Sequence, residues 1–146
     1  MARKDAPHYR TKHGAGETPA PALAEAVKKA APEGRLSCRA AFEVAGSLRI
    51  DPSKVGKAAD LLEVRLVECQ LGLFGHGKGD KGKRLRPASS VSGQLEQAIR
   101  AALREGRLPC VEAWRIAADL RIKKIDVAEA AEAMGLKIGS CQLGAF

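Results

Sequence analysis

A mainly α protein of two tandem three-helix modules, each closing in a short β element, is predicted by three observations. Residues 23–74 and 95–146 align without a gap at an offset of 72, and 21 of the 52 aligned positions are identical. Within each copy the apolar residues recur at helical spacing in three runs. Between those runs stand residues that start and stop helices. A duplication of this kind acts as a two-member alignment: shared positions report what the fold needs, and divergent ones report what the copies do differently.

The elements follow in order. Helix one carries Leu23, Ala26 and Ala30 in the first copy, and Leu95, Ala98, Ile99, Ala102 and Leu103 on one face in the second. Ser92 or Gly93 opens the second example. Pro32 and Gly34 end the first, and Gly106 is expected as the left-handed glycine that stops the second. Helix two is capped by Ser37 in the first copy and has Pro109 near its first turn in the second. Its apolar face is Val111, Trp114, Ala117, Ala118 and Leu120. The run Arg121 to Ile125 reads as a turn. Helix three starts at Asp51-Pro52, where Asp caps and Pro takes the first helical position. In the second copy it runs from about Lys124 to Met134 and ends at Gly135. Val64 to Leu66 and Leu71 to Phe74, and then Leu136 to Ile138 and Cys141 to Phe146, alternate weakly and predict short strands.

The predicted organisation is a basic tail at 1–22, a first repeat at 23–74, a basic Gly/Lys-rich linker at 75–94 and a second repeat at 95–146. A module of about 50 residues buries only about 60% of its unfolded surface, so packing of the copies on each other, or self-association, is expected. The net charge of +8 is unevenly placed. Each repeat has eight Lys/Arg against seven Asp/Glu, whereas the linker has Lys78, Lys81, Lys83, Arg84 and Arg86 against Asp80. Such a run attracts polyanions without choosing a sequence, or it keeps a solvated linker open. No stretch approaches the roughly 20 apolar residues of a membrane span, so no membrane partner is expected. The basic start lacks the apolar segment of a secretory signal, which predicts a cytoplasmic, reducing location and free thiols.

The set Ala45, Leu48, Ile50, Val55 and Ala58, repeated as Ala117, Leu120, Ile122, Val127 and Ala130, resembles the helix-turn-helix family pattern, and the trailing β element resembles the wing of a winged helix. In that family the small Ala lets two helices cross closely and the apolar positions hold the second against the first. The family's turn glycine is replaced here by Arg49 and Arg121. The resemblance implies a regulatory protein that binds double-stranded DNA through helix three. In the first copy that helix would face outward with Ser53, Lys54, Gly56, Lys57 and Asp60. In the second the same positions are Ile125, Asp126, Ala128, Glu129 and Glu132, whose carboxylates repel phosphates. The candidate DNA contacts are therefore Arg49, Ser53, Lys54 and Lys57, with Arg121, Lys123 and Lys124 at the second turn and Lys78, Lys81, Lys83, Arg84 and Arg86 in the linker. The alternative is a protein-interaction or assembly module that binds no DNA.

Cys38/Cys69 and Cys110/Cys141 are equivalent pairs. Cysteine fits tight packing points as a small apolar residue. The competing possibility is a four-sulfur site for zinc or an iron–sulfur cluster, making the protein a metal-binding sensor. No Cys-x-x-Cys pair is present and no histidine lies within the repeats, so no cofactor is expected. Phe42/Trp114 and Phe74/Phe146 are read as core anchors. The glycine-rich stretch 72–82 lacks a following Lys-Ser/Thr helix start, and no nucleophile–base pair occurs within a copy, so an enzyme is not expected.

Overall fold

The computed structural model describes residues 13, 16–77 and 82–146. The described chain is mainly α, with six helices and four three-residue strands. It divides into two compact units, one ending at Val67 and one running from Glu68 to Phe146. The dividing point falls inside the first sequence copy.

The first unit contains α1 (Pro21–Ala30), a 3-10 turn (Pro32–Gly34), β1 (Arg35–Ser37), α2 (Cys38–Leu48), α3 (Pro52–Leu61) and β2 (Arg65–Val67). Local chemistry sets the starts. The Ser37 hydroxyl accepts from Ala40 N at 3.0 Å, and Asp51 accepts from Ser53 N at 2.9 Å with Pro52 behind it. Each such cap satisfies a donor that the helix leaves open and contributes about 1 kcal/mol. Val27, Leu36, Ala41, Val55 and Ala59 are fully buried. The alanines let the helices approach, while Val27, Leu36 and Val55 each contribute about 1.5–3 kcal/mol by leaving water. β1 and β2 pair in parallel, with Leu36 opposite Leu66. The β element is thus completed by a strand ahead of helix two rather than by an antiparallel wing hairpin. Three residues are too few for alternation to announce that strand.

The second unit contains α4 (Gly93–Ala102), β3 (Arg107–Pro109), α5 (Cys110–Leu120), α6 (Lys124–Ala133) and β4 (Lys137–Gly139). β3 and β4 are again parallel, with Leu108 opposite Ile138. Its core holds Ile99, Leu108, Ala113, Ile116 and Val127, together with Cys69 and Leu71 from the end of the first sequence copy. Gly106 does not stop α4. With Glu105 it forms a tight turn in which Arg104 and Arg107 exchange backbone hydrogen bonds at 2.7 and 3.0 Å.

Two expected strands are turns. Cys69 N donates to Phe74 O at 3.1 Å and Gly72 N to Cys69 O at 2.9 Å; Cys141 N donates to Phe146 O at 3.3 Å and Gly144 N to Cys141 O at 3.0 Å. Gly72 and Gly144 have φ near +80° (78° and 80°), a conformation glycine adopts freely. This accounts for the shared Cys-Gln-Leu-Gly-x-Phe block. The apolar residues at 71 and 73 mimic a strand period while the chain turns back on itself. Leu71 is fully buried, and Phe74 meets Phe146 edge to face at 6.3 Å.

Left-handed backbone recurs at matched positions even where the residue differs: Glu63 (φ 56°) and Gly135 (φ 73°), Glu68 (φ 52°) and Ser140 (φ 50°). The path is duplicated more faithfully than the side chains. Among the described residues no helix is long and apolar enough to cross a membrane.

Candidate nucleic-acid interface

The junction between helices two and three is the same in both units. Arg49 sits at φ 56°, ψ 47° and Arg121 at φ 58°, ψ 44°. The backbone therefore takes the left-handed turn without a glycine, at a cost of roughly 1–2 kcal/mol at each arginine. Two hydrogen bonds that close the helix end offset it. Arg49 N donates to Gly46 O at 3.3 Å and Ile50 N to Ala45 O at 3.0 Å; Arg121 N donates to Ala118 O at 3.3 Å and Ile122 N to Ala117 O at 3.0 Å. Both arginines are exposed.

On α3, Ser53, Lys54 and Lys57 are exposed. Gly56 and Asp60, expected on the same outward face, are buried. Helical geometry explains the correction: 53, 54 and 57 follow one stripe, whereas 56 and 60 turn toward the core with Val55 and Ala59. Asp60 is the only buried charged residue among those described and accepts from His13 Nε2 at 2.9 Å. Lys57 Nζ lies 2.8 Å from Glu17 Oε1, with both side chains still nearly half exposed. Hydrogen bonds from the Ser53 side chain and backbone hold the Asp51 carboxyl below its usual range. Between residues 17–19, α1 and α3 lies an open groove of about 310 Å³, lined in part by Leu23, Lys54, Lys57 and Leu61.

The face of α6 is occupied. Ala128 is buried, and Asp126 caps its own helix by accepting from Lys123 N at 3.0 Å. Glu129 Oε2 accepts from Arg86 N at 3.1 Å, and its carbonyl accepts from Ala88 N at 3.0 Å. Glu132 pairs with Lys83 at 3.4 Å. A side chain at Gly72 would come within 2.9 Å of Ile125 Cδ1. Leu85 is buried in the same unit, and the Arg84 and Leu85 amides donate to Gly72 O at 2.7 and 3.1 Å.

The predicted contact residues therefore fall into separate groups. Arg49, Ser53, Lys54 and Lys57 share the turn and the first half of α3. Lys83 and Arg86 meet the α6 carboxylates Glu132 and Glu129, while Arg84 between them is tied by its amide to Gly72 O. Arg121 and Lys123 are exposed at the second turn, and Lys124 Nζ sits 4.6 Å above the Trp114 ring. Lys78 and Lys81 lie outside the described residues. Pattern reading missed His13 and Glu17. The available signal was the 72-residue offset itself: carried upstream, it places 83–88 opposite 11–16, and Asp60 opposite Glu132. In each unit an acidic residue of helix three holds a basic residue from the segment ahead of helix one.

Compared with known proteins, the chain matches no family model, no curated protein and no solved structure. Its chemistry rests on its own residues.

All four cysteines are free thiols. Cys69, Cys110 and Cys141 belong to the second unit, and Gln142 Nε2 donates to Cys110 Sγ at 3.4 Å. Burial pushes the Cys69 and Cys110 thiols up, and the neighbouring Cys141 adds to it. Protonated, buried thiols are weak nucleophiles and weak ligands. Among the described residues no three His, Cys, Asp or Glu side chains are arranged to hold a metal ion.

Proposed function

We propose that the chain is a non-enzymatic, cytoplasmic DNA-binding regulator built from two helix-turn-helix-like modules, in which α2, the Arg49 turn and α3 form the DNA-reading element. One observation carries this: α3 leaves Ser53, Lys54 and Lys57 exposed on its N-terminal half, next to an exposed Arg49, while α6 spends its equivalent face on residues 83–88. The N-terminal half of a reading helix is where side chains reach base edges. Ser and Lys suit phosphate and base-edge contacts. Lys83, Arg84 and Arg86 add phosphate contacts from the second unit.

A second reading, a protein-assembly module, is favoured by α6 itself, whose face already accepts an extended segment through Glu129. Fluorescence anisotropy of a mixed-sequence duplex across a salt series separates the two. The DNA reading expects salt-steep binding that survives replacement of Lys83, Arg84 and Arg86 by Ser and is lost on Lys54→Glu with Lys57→Glu. Absence of binding at low salt rejects it.

A further inference from the structure

We infer that the groove beside α3 is a binding site for a small amphipathic monocarboxylate, and that such a ligand would contend with DNA for Lys54 and Lys57. The contention with DNA rests on the function proposed above; the ligand site does not. The groove's volume of about 310 Å³ is at the small end of ligand sites, which span roughly 300–1,000 Å³. Its apolar wall is Pro19, Leu23, Ala58 and Leu61, and its cationic wall is Lys54 and Lys57. A short acyl or aryl group on a carboxylate matches both walls.

A carboxylate is already seated there. Glu17 Oε1 lies 2.8 Å from Lys57 Nζ, so the ammonium accepts an anion in this position. The pair is exposed on both sides, which makes it weak and exchangeable. The second copy shows that the site belongs to the first alone. Lys54 and Lys57 are replaced there by Asp126 and Glu129, and Glu129 takes the Arg86 amide. A lysine has no acceptor and cannot hold a backbone amide in that way.

The test uses the full chain, ¹⁵N-labelled, titrated with sodium octanoate while amide shifts are followed. The expected result is saturable shifts at Lys54, Lys57, Ala58 and Leu61. Affinity should fall roughly tenfold in the Lys54→Gln/Lys57→Gln variant, with octan-1-ol as weak as that variant. Glu17→Gln removes the internal competitor and should tighten octanoate about two- to fivefold. Unshifted groove amides, equal binding of octan-1-ol, or an unaffected double variant would each overturn the site. Duplex titrated into the octanoate-free protein, beside the octanoate titration, separates the two proposals, and the contention is read as weaker duplex binding once octanoate saturates the groove. Octanoate binding without DNA binding keeps the site and removes the regulator; DNA binding without octanoate binding does the reverse.

Discussion

Helices α3 and α6 are the same element of a duplicated path, yet one presents lysines to solvent and the other is clasped by its own chain. Three aligned changes account for the difference. Lys54 becomes Asp126, a cap for its own helix. Lys57 becomes Glu129, an acceptor for the Arg86 amide. Ser53 becomes Ile125, an apolar side chain against Gly72. A carboxylate can receive a backbone N–H and an ammonium cannot, so the charge at this position decides whether the upstream segment is met through its backbone, as at Arg86, or through a side chain, as at Glu17. The carboxylates of α6 therefore have structural partners, and repulsion of phosphate is only one consequence of their charge.

The largest expected effect breaks the clasped side. Leu71→Ala removes a fully buried side chain from the core of the second unit and should lower its stability by about 2–5 kcal/mol, measured by denaturant unfolding. A loss below about 1 kcal/mol would mean that the turn at 69–74 is not integral to that core. On the open side, Lys54→Gln with Lys57→Gln should weaken duplex binding roughly tenfold to a hundredfold and lower the salt slope by about 2, because each phosphate contact contributes about 0.9 to it. An unchanged slope would move the contacts elsewhere.

Converting one side into the other is sharper. Glu129→Lys removes the acceptor for Arg86 N, a loss of about 1 kcal/mol, and should speed hydrogen exchange at Arg86 and Ala88 about fivefold. Unchanged exchange would show that Leu85 alone holds the segment. Raising the pH probes the second unit's thiols. Because burial raises Cys69 and Cys110 in the folded state, their stabilising effect is complete below the unfolded thiol range, about 8.5, and is lost as pH climbs through the folded values. Stability should fall above about pH 8.5 and fall less in Cys69→Ala. The smallest effect is a gain: Arg49→Gly relieves the left-handed turn and should raise the stability of the first unit by about 0.5–1 kcal/mol, with Arg121→Gly doing the same for the second.

Helices were legible in the sequence because their signals are local and redundant. Ser37 and Asp51 act as caps, and Gly135 stands just past α6 in a left-handed conformation. The short strands β1 and β3 were not legible, since three residues paired across thirty leave no period. The Cys-Gln-Leu-Gly-x-Phe block was visible as a repeat but misread as strand, because its closure is made by backbone groups that composition does not show. At the candidate site, Ser53, Lys54 and Lys57 could be assigned to the surface, while Gly56 and Asp60 could not. A charged residue is expected outside, and Asp60 lies within with a partner as distant in sequence as His13. The partners of Lys57 and Glu129 come from upstream segments with little shared sequence, so residue identity between the copies did not point to Glu17 or Arg86.

The place of Leu71 has a consequence for how the chain is made. Residues 68–77 are synthesised ahead of α4, α5 and α6, yet Leu71 belongs to the core those helices build. During synthesis Leu71 and Phe74 must wait, uncovered, for some seventy residues of chain to follow. The same ordering fixes where the gene can be divided. A fragment ending at Phe74 carries an apolar turn with no core of its own unit to enter, and a fragment beginning at Gly75 lacks the side chain that fills its centre.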